Sequence, residues 1–132
     1  MAQRIVLALV ALLAAAWLAV SFRNARLEAD GLELARLPFD QLDADTVRES
    51  DDLLRRAELL NPDRSLAYQR GVLMLRAGRN EEGVARIRRY LRDEPEQREA
   101  WGILSAATAR TQPALSREAL RRYRELGAAD TR

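Results

Sequence analysis

Hydrophobic positions along the chain follow two regimes. From Ile5 to Phe22, IVLALVALLAAAWLAVSF, eighteen residues pass without a charge; a helix of that length spans about 27 Å, close to the hydrocarbon thickness of a bilayer. Beyond Arg23 the apolar residues recur instead at three- and four-residue spacing, in short stretches. Leu53, Leu54, Ala57 and Leu60 share one helical face, as do Val84, Ile87 and Leu91, and then Ala119, Leu120, Tyr123 and Leu126. LAYQRGVLMLRA and AWGILSAATA are apolar nearly all round and need cover on both sides. The pattern predicts an all-α chain with a membrane span over residues 5–22 and helices near 23–37, 46–60, 64–77, 80–93, 96–110 and 115–126.

Gly71 stands in the middle of one of the all-round apolar helices, where glycine costs about 1 kcal/mol against alanine. A close approach of a second helix at that point explains the choice. Gly78 follows LRA as a left-handed helix stop, Asn80 is placed to cap the next helix with Glu81 and Glu82 in its first turn, and Pro95 is suited to start another. RRAELLNPD and RRYLRDEPE end two helices alike, with Pro62 and Pro95 33 residues apart. Gly71, Gly78 and Gly83 lie 24, 17 and 12 residues before Pro95.

These spacings resemble the tetratricopeptide repeat, a helix hairpin of 34 residues. A third unit fits with Trp101 and Leu104 in its first helix and Ala119 and Tyr123 in its second, if two residues are inserted around TQP. A first unit fits through Leu54 and Ala57, with Gly31 displaced by a connection, LPFDQLDAD, seven residues longer than the repeat's. The resemblance implies an α-solenoid of about three hairpins over residues 23–132, behind an anchor at 1–22. It also implies a ligand groove lined by the first helix of each pair, here Tyr68, Val72, Leu75 and Arg76, then Ile103, Ala106 and Arg110. The lysine and asparagine of the family's peptide-carboxylate clamp are missing from these places. An apolar groove edged by Arg76 and Arg110 would suit an amphipathic helix or extended segment with acidic flanks.

Arg4 flanks the apolar run on one side and Arg23 and Arg26 on the other, so the charge rule for orientation is nearly balanced. The short tail ahead of the span favours an uncleaved single-pass anchor in the cytoplasmic membrane, with the C-terminal domain exported. The alternative is a secretory signal cut after the small residues Ala19 and Ser21, which would free a soluble module. Ala11, Ala15 and Ala19 form a small-residue stripe through which two spans could pack, giving a self-associating structural protein as a further alternative.

Composition removes most chemistry. The chain of 132 residues has no histidine, cysteine or lysine, which excludes zinc sites with N or S ligands, thiol and Ser-His nucleophiles, Schiff bases and the P-loop lysine. Carboxylates remain, and the richest run is DQLDADTVRESDD. It lacks the glycine and terminal glutamate of a calcium loop, whereas Thr46 with Glu49 reads as a capping box. No catalytic residue, metal ligand or cofactor site is expected.

Residues 23–63 carry six arginines against eleven acids and residues 64–132 fifteen against nine, so along the sequence the domain is acidic near the membrane and basic away from it. Without lysine clusters or a stacking platform, nucleic acid is not an expected partner. The sequence points to a non-catalytic scaffold that docks a protein or peptide, and the resemblance implies a role in envelope biogenesis.

Overall fold

The computed structural model describes residues 2–59 and 64–129, with side chains over 6–59 and 64–128. Leu60, Asn61, Pro62 and Asp63, including the expected repeat proline and the end of one apolar face, lie outside the described residues. Among the described residues there are six α-helices, a short 3-10 turn at Phe39–Gln41, and no strand. The helices are α1 (Ala2–Ala35), α2 (Ala44–Glu58), α3 (Ser65–Arg76), α4 (Asn80–Asp93), α5 (Arg98–Thr108) and α6 (Pro113–Ala129).

The first departure from the sequence expectation is α1, a single helix of 34 residues where a span and a separate helix were expected. The segment SFRNARL between them contains no glycine or proline, so nothing stops the helix at Arg23. Its N-terminal part is uncovered by protein: the large apolar side chains from Val6 to Phe22 are 45% to 69% exposed. It is the one helix among those described that is long and apolar enough to cross a membrane. Its C-terminal part, by contrast, buries Gly31 and Ala35 against α2.

Contacts are most extensive within the pairs α1–α2, α3–α4 and α5–α6, and lighter between α2 and α3 and between α4 and α5. Within each pair the helices run antiparallel. In the second pair Gly71 faces Ile87 while Gly83 faces Leu75, so numbers rise on one helix as they fall on the other.

Close approach depends on missing side-chain bulk. A Cβ added at Gly71 would come within 2.8 Å of Ile87 Cγ1, and one at Gly83 within 2.7 Å of Leu75 and 2.9 Å of the Gly71 carbonyl oxygen. In the first pair Gly31 plays the part of Gly71, since its added Cβ would sit 2.9 Å from Leu54, and the buried Ser50 hydroxyl donates to the Gly31 carbonyl at 2.8 Å. In the third, Ser105 carries that carbonyl and the Ser116 hydroxyl donates to it at 2.9 Å. Ser50, Gly83 and Ser116 are thus equivalent and lie 33 residues apart. The two-residue insertion around TQP, which put Ala119 in this place, is not needed; Ala119 is buried one turn further along.

The core falls into three groups, each shared between neighbouring pairs. Leu27 and Leu32 of α1 pack on Leu54, Ala57 and Leu66. Ala35, Val47, Leu73 and Met74 form a second group. Val84, Ile87, Tyr90 and Leu91 meet Ala100, Leu104 and Ala119 in a third. At about 25 cal/mol per Å² such burial is the main stabilising term. A charged seam adds specificity between the first two pairs. The largely buried Arg70 of α3 donates to Asp51 at 2.7 Å and to Glu58 at 2.6 Å on α2, and Arg86 of α4 pairs with Glu82 at 2.9 Å and reaches Asp51 at 3.5 Å. Burial opposes the Arg70 charge, but the hydrogen bonds to Asp51 and Glu58 outweigh it and raise its pKa further.

The helix ends partly follow the sequence reading. Gly78 has φ +75°, and the Gly78 and Arg79 amides close on Leu75 and Met74 carbonyls as a left-handed stop requires. Asn80 is already helical and makes no side-chain cap; Glu81 and Glu82 do occupy the first turn. Asp43, rather than Thr46, caps α2, accepting from the Thr46 amide at 2.7 Å. Pro95 lies in the turn ahead of α5, where its carbonyl accepts the Trp101 indole N–H at 2.8 Å, and Pro113 is the proline that starts a helix.

Two outcomes follow for folding. Gly83→Ala should lose on the order of 1–2 kcal/mol net in urea unfolding in detergent, because overpacking outweighs the propensity gain; a more stable variant would contradict the close approach. The Thr46 amide hydrogen bond holds the Asp43 carboxyl below its usual 3.8, so its capping contribution is complete above that pH and lost as pH falls through the lower folded value. Amide exchange in the first turn of α2 should rise only in that acid range, and Asp43→Asn should flatten the dependence.

Candidate functional site

An open cleft of about 580 Å³ lies where α3, α5 and α6 meet. Tyr68 of α3 forms one wall, Gly102, Ile103 and Ala106 of α5 the floor, and Leu120 and Tyr123 of α6 the other wall, with Glu99 at the edge. Three of the seven residues expected in a groove are therefore brought together: Tyr68, Ile103 and Ala106. Ala106 is exposed, while Tyr68 and Ile103 are half-buried against the core below.

Each wall is fixed by its neighbours. The Tyr68 ring lies 5.5 Å from that of Tyr90, and burial, with help from the Glu99 charge and Tyr90, pushes its phenol pKa up. The Tyr123 ring is held between Gly102, whose added Cβ would come within 3.1 Å of it, and the Arg98 guanidinium, 4.4 Å over its face. A side chain at position 102 would push Tyr123 aside and fill the cleft floor.

The other four residues are placed differently. Val72 is half-buried on α3. Leu75 packs its side chain against Gly83 and the core, so its bulk is spent inside the second pair. Arg76 is a clamp: its guanidinium donates to the Ala35 carbonyl and, at 2.5 Å, to the Leu37 carbonyl, and lies 5.5 Å over the Phe39 ring. It ties the end of α1 and the following connection to α3. Arg110 is exposed in the turn after α5 and lines no part of the cleft. The expected arginine rim is absent there, and the charged group at the edge is Glu99.

Leu120, Tyr123, Gly102 and Glu99 were not anticipated as lining residues. The repeat pattern assigns grooves to first helices, whereas here α6, a second helix, also contributes a wall. The 33-residue register that joins Ala57, Tyr90 and Tyr123 is visible in the sequence and could have located Tyr123.

A second hollow of about 260 Å³ between α2, α3 and α4 is lined by Arg64, Arg70, Arg86 and Arg89. Its arginines are largely occupied internally, with Arg64 on Asp93 at 2.6 Å and Arg70 on Glu58. Among the described residues no group of three or more acidic side chains is placed to hold a metal ion. The main cleft can make apolar contact, two phenol hydrogen bonds and one ion pair. Searches of protein-family models, of curated proteins and of solved structures found no match to this chain.

The clamp has a measurable consequence. Arg76→Gln should cost about 1–3 kcal/mol through the loss of charged hydrogen bonds to two carbonyls, and amide exchange over residues 36–42 should rise. Unchanged protection there would show that Arg76 is not what holds the connection.

Proposed function

We propose that the chain is a membrane-anchored scaffold of three tetratricopeptide-like hairpins that docks a protein or peptide segment in the cleft between Tyr68 and Tyr123. Support for the repeat reading comes from three antiparallel pairs with equivalent close approaches at Gly31, Gly71 and Ser105. Stacking of such pairs gives a short solenoid with its first helices sandwiched. The observation that carries docking is the exposed cleft itself, apolar on its floor and aromatic on both sides. Rigid aromatic walls around a shallow apolar floor suit an amphipathic helix or extended strand of a partner.

Glu99 at the edge favours a partner with a basic group beside its apolar side chains, in place of the acidic flanks expected from an arginine rim. The uncovered apolar half of α1 supports a single-pass anchor; in this reading the membrane is cytoplasmic and the repeat domain lies outside it. Envelope assembly fits a scaffold of this kind. A signal-cleaved soluble module, or a protein that self-associates through its span, are the competing readings.

Photo-crosslinkers at Ala106 and Arg121 separate these outcomes. A shared cellular adduct at Ala106 that is absent at Arg121, on the outer surface of α6, and weakened by Glu99→Gln, is the expected result. The intact mass of the adduct reports whether residues 1–21 remain. Equal capture at both positions would remove the cleft as the docking site, and capture of a second copy alone would favour self-association.

A further inference from the structure

The continuity of α1 fixes which end of the repeat domain faces the bilayer. From Phe22, the last residue of the apolar run, Leu27 is about 8 Å along the helix and Ala35 about 20 Å. Leu27 packs at the level of Leu54, Ala57 and Leu66, whereas Ala35 packs at the level of Val47, Leu73 and Met74. The C-terminal end of α2 and the start of α3 therefore lie nearest the membrane, and the start of α2 lies far from it. The ion pair between Arg64 and Asp93 brings the C-terminal end of α4 to the same near side.

This geometry replaces the charge polarity read along the sequence. Four of the eleven acids of residues 23–63, Asp40, Asp43, Asp45 and Glu49, lie in the far connection and first turns of α2. On the near side stand Arg23, Arg26, Arg55, Arg56, Arg89 and Arg92, all exposed. Arg55 and Arg56 share one acid, Asp52, while Glu58 pairs with Arg70 and Asp93 with Arg64, and Glu94 and Glu96 stand on the same side after Asp93. Arg23, Arg26, Arg89 and Arg92 make no ion pair with an acid among the described residues. Leu59, 74% exposed, ends α2 on this side, and Arg26 stacks 5.2 Å over the Phe22 ring at the apolar boundary.

We propose that this arginine-bearing end docks on the anionic headgroups of the bilayer that holds α1, seating the domain against the membrane with its acidic end outward. The proposal rests on the reading of α1 as a span. Arginines within a Debye length of an anionic surface are attracted to it, and the attraction weakens as salt rises. Anionic headgroups are the chosen partner because the span delivers this face to them directly.

The test uses the full chain in vesicles of phosphatidylcholine, with or without phosphatidylglycerol, carrying a headgroup-linked quencher. The chain has no cysteine, so Gln97→Cys, in the turn between α4 and α5, and Gln41→Cys, at the far end, each take one fluorophore. Quenching at position 97 is expected to be about twofold stronger with anionic lipid and to fall back as salt rises from about 0.1 to 1 M. Substituting Arg55, Arg56, Arg89 and Arg92 by glutamine should abolish the difference, while position 41 stays weakly quenched. Quenching at position 97 that ignores both lipid charge and salt overturns the docking and leaves the span reading intact. Stronger quenching at position 41 overturns the assignment of ends. Release of the chain from vesicles by an alkaline carbonate wash overturns the span reading itself.

Discussion

Close backbone approach within helix pairs is the constraint on which the rest of the structure depends. At Gly31, Gly71 and Ser105 the first helix of each pair presents a carbonyl to a glycine or serine of the second, and no larger side chain fits between them. Where serine stands in place of glycine, its hydroxyl becomes part of the contact by donating to that carbonyl. Tight pairing leaves apolar surfaces on each helix pair, so that Leu54, Ile87 and Leu104 end in cores shared with helices of a neighbouring pair. Without it, the nearly all-round apolar helices α3 and α5 would have too little cover.

Much of this was legible in the sequence where a residue has one physical use. Gly71 in an apolar helix signalled a close neighbour, and Gly78 signalled a left-handed stop; both hold. The last five expected helices match α2 to α6 to within a few residues, whereas the break expected at Arg23 is absent and the span and first helix form the single α1. Boundaries failed where several residues could serve: Asp43, Asp45 and Thr46 are all capable caps, and only the backbone entering α2 selects Asp43. The third pair departs from its expected register because Ser116 takes the place that glycine holds in the second, and Ala119 lies one turn further along.

The cleft was half legible. Tyr68, Ile103 and Ala106 were expected on first helices and are found together, but Leu120 and Tyr123 of the second helix α6 join them. Arg76 shows the limit of reasoning by apparent surplus. A charged residue on an apolar helix looked free for a ligand, yet its guanidinium satisfies carbonyls left open at the end of α1 and in the connection after it. Side-chain partners 39 and 41 residues away cannot be read from local spacing. The same holds for where charges gather, which depends on the antiparallel pairing that brings distant segments side by side and not on position along the sequence.

A disulfide between Ser105→Cys and Ser116→Cys tests the pairing most directly, because the two hydroxyl oxygens lie 3.3 Å apart between α5 and α6. In the full chain under mild oxidation, the double variant should close this bond without a reducing-agent-sensitive change in helix content. Two thiols that stay free and reactive would show that α5 and α6 do not approach at these positions, and the account of paired, close-packed helices would fail.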